Sequence, residues 1–438
     1  MLIDTKPPLA GALSVDTSDA RPFLRVTFTA PLLPAPQASA LLLENLTTGQ
    51  TIPAGGIIAV YDSATRTATF TFTDGQLPDG IYRATIVPDA ITDPARNTLA
   101  GTATAQFAWL GGSVGNDTYE VRRNGDVIDI FHNGAMTPTV SIAAASTVPI
   151  TIGGGGGDAS GSDTLIVDQT GGSIGSLLFD GGAGVDELIV IGHGDDAYNV
   201  TTGGVGKIAH VSVENLTFGA GTFNVTQDLS NAAVTVASDA IAIFNVSQRL
   251  RGLTVLGVGR LPMGGSPKAL VAEELAVGSA GQLDLADHDL VVDYSDASPL
   301  GSWDGTKYTG VAGMIQSAMN YHEWDGPGIR TSAAPAKLGV TTLGIGEANE
   351  VLFLSGGETT LWNGVTVDAT SVIVKYTYAG DVNFDGLVDG ADYGTLDNFI
   401  QFPGTDGYVN GDVNYDGIID GADYGTLDNA IQLQGLPL

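Results

Sequence analysis

The chain has 438 residues, with 49 Asp and Glu against 17 Lys and Arg, for a formal net charge of −32. Acid on this scale argues against nucleic acid and anionic membrane as partners. The absence of cysteine excludes disulfides, thiol catalysis and thiolate metal sites.

Hydrophobic residues make up 43% of the chain and are patterned, so the acidity does not imply disorder. No run approaches the roughly 18 apolar residues of a membrane span. The opening MLIDTKPPLAG has no apolar leader core. Export through a leader already removed, or by another route, is expected. The length leaves room for roughly two to four domains.

Residues 1–110 read as all-β. Short stretches at 24–28, 40–45, 57–61, 67–73 and 81–87 alternate or are β-branched, and turn residues separate them, as at Leu77-Pro78-Asp79-Gly80. The phrases VTFTAP, LPDGIYRATI and ITDPARNTLAG resemble bacterial Ig-like domains, which implies a β-sandwich spacer or assembly unit.

Residues 111–293 change character. Glycine is dense, charge is sparse, and short strands are read at 163–167, 187–191, 210–213, 222–225, 234–236 and 290–292, several of them flanked by Gly or Asp. GGAGVDELI at 181–189 fits the nonapeptide of calcium β-rolls, and segments near 114 and 161 fit in part. Such calcium sites need consecutive nine-residue copies, yet Asp117, Asp163 and Asp186 lie 46 and 23 apart. Irregular β-solenoid rungs, with Gly and Asp at the corners, are the better reading.

Residues 294–378 are expected to extend and close this β domain. YTGVAGMIQSAMNYH at 308–322 places Val311, Met314, Ile315, Ala318, Met319 and His322 on one helical face. SVIVKYTY at 371–378 reads as a strand.

Residues 379–438 carry the strongest signal. GDVNFDGLVDGADYGTLDNFIQ at 380–401 recurs as GDVNYDGIIDGADYGTLDNAIQ at 411–432, identical at 18 of 22 positions. Oxygen side chains fall at loop positions 1, 3, 5, 9 and 12. In the first copy they are Asp381, Asn383, Asp385, Asp389 and Asp392; in the second, Asp412, Asn414, Asp416, Asp420 and Asp423. Position 7 (Leu387, Ile418) can offer only its carbonyl, and Gly386 and Gly417 at position 6 permit the sharp turn. This is the ligand spacing of an EF-hand-type loop, so two Ca2+ sites are expected. Position 12 is Asp where most such loops carry Glu, which draws the loop closer to the ion.

Each loop runs into a predicted helix with an apolar stripe: Leu396, Phe399 and Ile400, then Leu427, Ala430 and Ile431. Loop–helix pairs in tandem resemble the dockerin module. That resemblance implies calcium binding and a cohesin-like partner met through the helices. Positions 10 and 11, which many dockerins use for recognition, are here Gly390–Ala391 and Gly421–Ala422, small and without hydroxyls. Docking on the chain itself, or self-assembly, stays open beside the cohesin reading. The short junction predicts that the module packs on the preceding β domain. From about residue 280 onward, the order LDLADHDLVVDYSDASPLG, YTGVAGMI, WDGPGIRTS, VDATSVIVKYTYAGDVNFDG resembles the end of large secreted planctomycete-type proteins.

The expected fold is therefore mainly β: an Ig-like β-sandwich (1–110), an irregular parallel β-solenoid (111–293), a helix-containing extension (294–378) and a dockerin-like α-helical module (379–438). Calcium and the lack of cysteine point to an extracellular or cell-surface location. No catalytic motif stands out. His132, His193, His210, His288 and His322 have no metal-ligand spacing. Asp158, Asp163, Asp168, Asp180 and Asp186 could serve a polysaccharide-active β-helix, and 322–325 (HEWD) could offer a sugar platform. Rung corners and a polar turn account for both more simply. The expectation is a non-catalytic structural protein assembling head to tail with itself. The alternatives are a cohesin-docking subunit and a glycan-active enzyme.

Overall fold

The computed structural model describes residues 4–16, 22–73, 77–113, 115–153, 161–192, 197–198 and 208–438. Val114, Asp158 and His193 lie outside the described residues. The chain forms two compact units, one of residues 1–194 with 199–215 and one of 195–198 with 216–438. Both are mainly β, in several sheets with few helices.

In the first unit, Ser14–Asp16, Phe23–Thr27, Thr67–Phe72 and Ile57–Asp62 form an antiparallel sheet. Alternation does the work here: in FLRVT, Leu24 and Val26 are buried while Arg25 and Thr27 face out. A second sheet holds Leu41–Asn45, Gly80–Ile86 and Thr104–Gly111 in antiparallel order. Leu24, Val26 and Phe70 of one sheet share a core with Leu43, Tyr82 and Phe107 of the other.

Beyond Thr104–Gly111 the second sheet becomes parallel, adding Ile150–Gly153, Leu177–Asp180 and Ile208–Val211. The chain alternates between this column and another, in which Thr118–Asn124, Thr164–Asp168 and Glu187–Ile191 run parallel with Thr118, Thr164 and Glu187 abreast.

That register stacks the acids preceding each strand. Asp163 Oδ1 accepts from the Asp117 N–H at 2.6 Å, Asp186 Oδ1 from the Asp163 N–H at 2.7 Å, and Glu214 Oε2 from the Asp186 N–H at 2.8 Å. Asp117 to Asp163, 46 residues apart, and Asp163 to Asp186, 23 apart, are each one step of the stack. Burial pushes the Asp163 carboxyl up to about 6. Asp163→Ala would strand the Asp117 N–H in the interior. A loss of about 1–3 kcal/mol is expected in urea unfolding, with Asp163→Asn losing less because it keeps an acceptor.

In the second unit, Gln248–Val255, Ala269–Val277 and Asp289–Asp293 run parallel, with Gln248 opposite Leu270 and Ala269 opposite Asp289. Val258–Arg260, Gln282–Asp284 and Gly328–Arg330 form a second parallel column. Asp289–Asp293 then pairs antiparallel with Ser371–Tyr378, and that strand with Thr341–Glu347. The predicted strand at 371–378 is thus present, and all eight of its residues are buried.

Helix α1 (Gly310–Met319) buries Val311, Ala312, Ile315, Ala318 and Met319. It stops short of His322 because Asn320 takes a left-handed backbone, φ 39°, and Tyr321, His322 and Trp324 follow at 56°, 70° and 55°. Trp324 is 1% exposed and belongs to the core, so the segment 322–325 offers no aromatic platform. Helix α2 is one turn, Ala348–Val351.

Candidate metal centre

The repeated sequence folds as two loop–helix units, with α3 at Gly390–Phe399 and α4 at Gly421–Leu433. Each helix starts in a capping box. Asp389 accepts from the Ala391 N–H at 2.7 Å, and Asp392 Oδ2 from the Asp389 N–H at 2.8 Å. Asp420 and Asp423 do the same at 2.7 and 2.9 Å. Gly386 and Gly417 take φ of 90° and 85°, as the position-6 turn requires.

The copies interlock by exchange. Gly380 lies under Leu427 of the other copy and Gly411 under Leu396, each so close that a Cβ would clash. Tyr393 donates to Asp428 at 2.5 Å, and Tyr424 to Asp397 at 2.6 Å. The duplicated sequence thereby builds one module with internal two-fold character. The predicted apolar stripes are only partly buried. Leu396, Leu427 and Ala430 are inside, but Ile400 is 40% and Ile431 38% exposed. Helix α3 ends at Phe399, so Ile400 is its cap and not part of the packed face.

The module sits on the β domain, as the short junction predicts. Phe384 and Tyr415, at position 4 of each loop, are buried together with Tyr408. Tyr415 donates to the Leu343 carbonyl at 2.6 Å. The aromatic rings lie over Gly344 and Val409 lies over Gly346, where any Cβ would collide with them. Gly344 and Gly346 are alternate residues on one face of Thr341–Glu347, and they leave a flat strip for the module. On the second loop, Trp303 covers Gly417, Gln316 donates to the Tyr415 carbonyl at 2.8 Å, and the Tyr308 hydroxyl donates to Asp412 Oδ2. On the first, Lys375 Nζ donates to Asp381 Oδ2 at 3.3 Å and to the Phe384 carbonyl at 3.0 Å, and Thr377 donates to Asp381 Oδ2. Local spacing gave no sign of Tyr308, Lys375, Thr377 or the glycine strip.

The structure places the twelve residues predicted from spacing in two loops of matching form. Asp381, Asp392, Asp412 and Asp423 are all fully buried. Asp392 Oδ1 accepts from the Val382 N–H, and Asp423 Oδ1 from the Val413 N–H, both at 2.9 Å, which ties position 12 to the loop entrance. Asn383, Asp385 and Asp389 are exposed at the first loop, and Asp416 and Asp420 at the second, with Asn414 half-buried. Ile418 is 60% exposed, so its side chain contributes no core packing.

Among the described residues, no three His, Asp or Glu side chains are gathered as a metal cluster. The loops' oxygen donors include Asn and backbone carbonyls, and several carboxylates are turned onto loop N–H groups. The donor set still fits a hard cation. It is all oxygen, and its deepest acids sit in an environment that resists a bare negative charge. Asp381 Oδ1 is buried and meets no hydrogen-bond donor. Burial pushes Asp392 and Asp412 up to about 6 and Asp423 up to about 7.

A carboxyl whose folded pKa lies above its unfolded value near 3.8 stabilises the fold when protonated, and that stability is lost as pH rises through 6 to 7. In chelator, the melting temperature of the module is expected to be higher at pH 5 than at pH 7.5. Calcium-loaded protein should show the opposite trend, because protons compete with the ion. Melting curves at both pH values, with and without calcium, check this.

Elsewhere the acids proposed for glycan chemistry serve the backbone. Asp168 accepts from the Thr170 N–H at 2.8 Å and Asp180 from the Gly182 N–H at 3.1 Å, while Asp163 and Asp186 belong to the stacked ladder.

The dockerin type I domain family matches residues 379–432. Calcium is the ion such domains bind. No curated protein matches the chain. Among solved structures, the N-terminal part of the bacterial S-layer protein SbsC matches 32% of this chain and 44% of its own length, at 12% identity and a TM-score of 0.18. The chain thus spans less than half of that protein, and so slight a likeness carries no argument. Among the described residues, no helix is long and apolar enough to cross a membrane.

Proposed function

We propose that this is an extracellular or cell-surface interaction protein without catalytic activity, whose C-terminal module docks onto a cohesin-like partner when calcium is bound. Two ions are held. The first loop uses Asp381, Asn383, Asp385, the Leu387 carbonyl, Asp389 and Asp392. The second uses Asp412, Asn414, Asp416, the Ile418 carbonyl, Asp420 and Asp423. The calcium neutralises the buried acids and thereby fixes the helices that follow them.

One observation carries the docking reading. The module's loop side is occupied by the β domain, whereas Gly390, Ala391 and Gly394 of α3 and Gly421, Ala422 and Gly425 of α4 are exposed. The residues at which a dockerin would meet its partner are thus left uncovered. Parallel pairing at steps of about 20 residues, as from Ala269 to Asp289, supports reading the body as a β-solenoid. The two-sheet core of residues 13–109 supports an Ig-like sandwich before it. Both would serve as spacers.

Sedimentation velocity of the protein, alone and with a cohesin domain, tests the proposal. A monomer that forms a one-to-one complex only in calcium is expected. Large calcium-dependent species from the protein alone would favour head-to-tail self-assembly instead, and a monomer in every mixture would reject docking.

A further inference from the structure

The two loops are almost identical in sequence, yet their surroundings are not. Position 1 of the second loop, Asp412, faces a neutral phenol: its Oδ2 accepts from Tyr308 and from the Gly417 N–H at 2.8 Å, and its Oδ1 accepts from the Asp416 N–H at 3.1 Å. Position 1 of the first loop, Asp381, faces an ammonium. Lys375 is only 6% exposed, and its Nζ lies 3.3 Å from Asp381 Oδ2 and 3.0 Å from the carbonyl of Phe384 in the same loop. It is also the last basic residue in the sequence; the 63 positions that follow contain no Lys or Arg and eleven Asp. The only cation of this stretch of the chain is therefore spent on one of two equivalent carboxylates.

Resting on the reading that both loops take calcium, we propose that Lys375 makes them unequal. Its ammonium supplies part of the positive charge that the first loop would otherwise draw from the ion. A like charge beside a buried carboxylate opposes any cation bound to that carboxylate, and the interior screens it poorly. The second loop, where Asp412 meets no such charge among the described residues, binds calcium more tightly and fills first. The same ion pair offsets the Asp381 charge at low calcium, whereas the Tyr308 hydrogen bond leaves the Asp412 charge unneutralised, so the second loop is the one that responds to the ion. A module with internal two-fold symmetry thus carries one responsive site and one largely held by the protein.

Calorimetric titration of calcium into the full-length protein decides this. The wild type is expected to take up two ions in separable steps, with dissociation constants at least about tenfold apart, the scale of one nearby like charge. Lys375→Met should narrow that ratio by tightening the weaker step. Asp412→Asn should abolish the tight step and leave the weak one, and Asp381→Asn should do the reverse. These two variants assign the steps even if Lys375→Met fails to fold. Two equal sites in the wild type, a ratio unmoved by Lys375→Met, or a tight step that disappears with Asp381→Asn would overturn the inference while leaving calcium binding intact. No uptake of calcium at all would reject the calcium reading itself, and the inference with it.

Discussion

Tyr408→Ala is expected to release the C-terminal module from the β domain while leaving the rest of the fold in place. Tyr408 is 1% exposed, with Tyr415 and Phe384 at ring-centroid distances of 5.7 and 6.2 Å. Its hydroxyl accepts from the Gly380 N–H at 3.2 Å and donates to the Tyr378 carbonyl at 3.3 Å. Its ring covers Gly344 beside that of Phe384. Truncating a buried aromatic side chain costs about 3–5 kcal/mol, and here the loss is shared between the junction, at Gly344 and Tyr378, and the module's own packing, at Phe384 and Tyr415. Limited proteolysis should then release a fragment beginning near residue 379, which the wild type resists. Tyr408→Phe keeps the ring and should cost only about 1 kcal/mol, the net worth of its hydrogen bonds. If the alanine variant is as resistant as the wild type, the aromatic contact does not hold the module.

Asp412→Ala should destabilise the protein strongly in calcium and weakly in chelator. With free calcium near 1,000 times the dissociation constant, a site contributes about 4 kcal/mol to folding, and losing its position-1 ligand removes most of that. Without calcium the balance differs. The lost carboxyl leaves Tyr308 and the Gly417 N–H without an acceptor, which costs stability. It also removes an acid that burial has already pushed up to about 6, which returns some. Melting temperatures of the variant and wild type in both conditions give the comparison. Equal losses in the two would mean that Asp412 acts only through its protein partners.

The loops were legible because their chemistry is local. Oxygen side chains at positions 1, 3, 5, 9 and 12 and Gly at position 6 of a turn need no knowledge of the rest of the fold. The strand at 371–378 was legible for the same reason. What faces the loops was not. Tyr308 meets Asp412 across 104 residues, and nothing in YTGVAGMI marks that tyrosine for a carboxylate. Lys375 read as one residue of a strand, although a lysine among seven other buried residues needs a partner. Gly344 and Gly346 lay in plain view as LGIGE, and their spacing of two on a buried strand was the available signal of close approach by another segment. The spacing of Asp117, Asp163 and Asp186 was visible too. A nine-residue repeat does not fit it because the steps that stack them are longer and unequal, 46 residues from Asp117 to Asp163 and 23 from Asp163 to Asp186. The end of α1 was missed because Asn320 entered the left-handed region inside an unbroken apolar pattern.

Hydrogen exchange of the full-length protein, in millimolar calcium and then in chelator, tests the central claim most directly. If calcium orders the docking module, amides of the two loops and of α3 and α4 exchange much faster in chelator, while strands such as Gln248–Val255 and Ala269–Val277 keep their protection. Identical exchange across residues 380–433 in both conditions would contradict the account, because a module that is equally ordered without the ion is not governed by it.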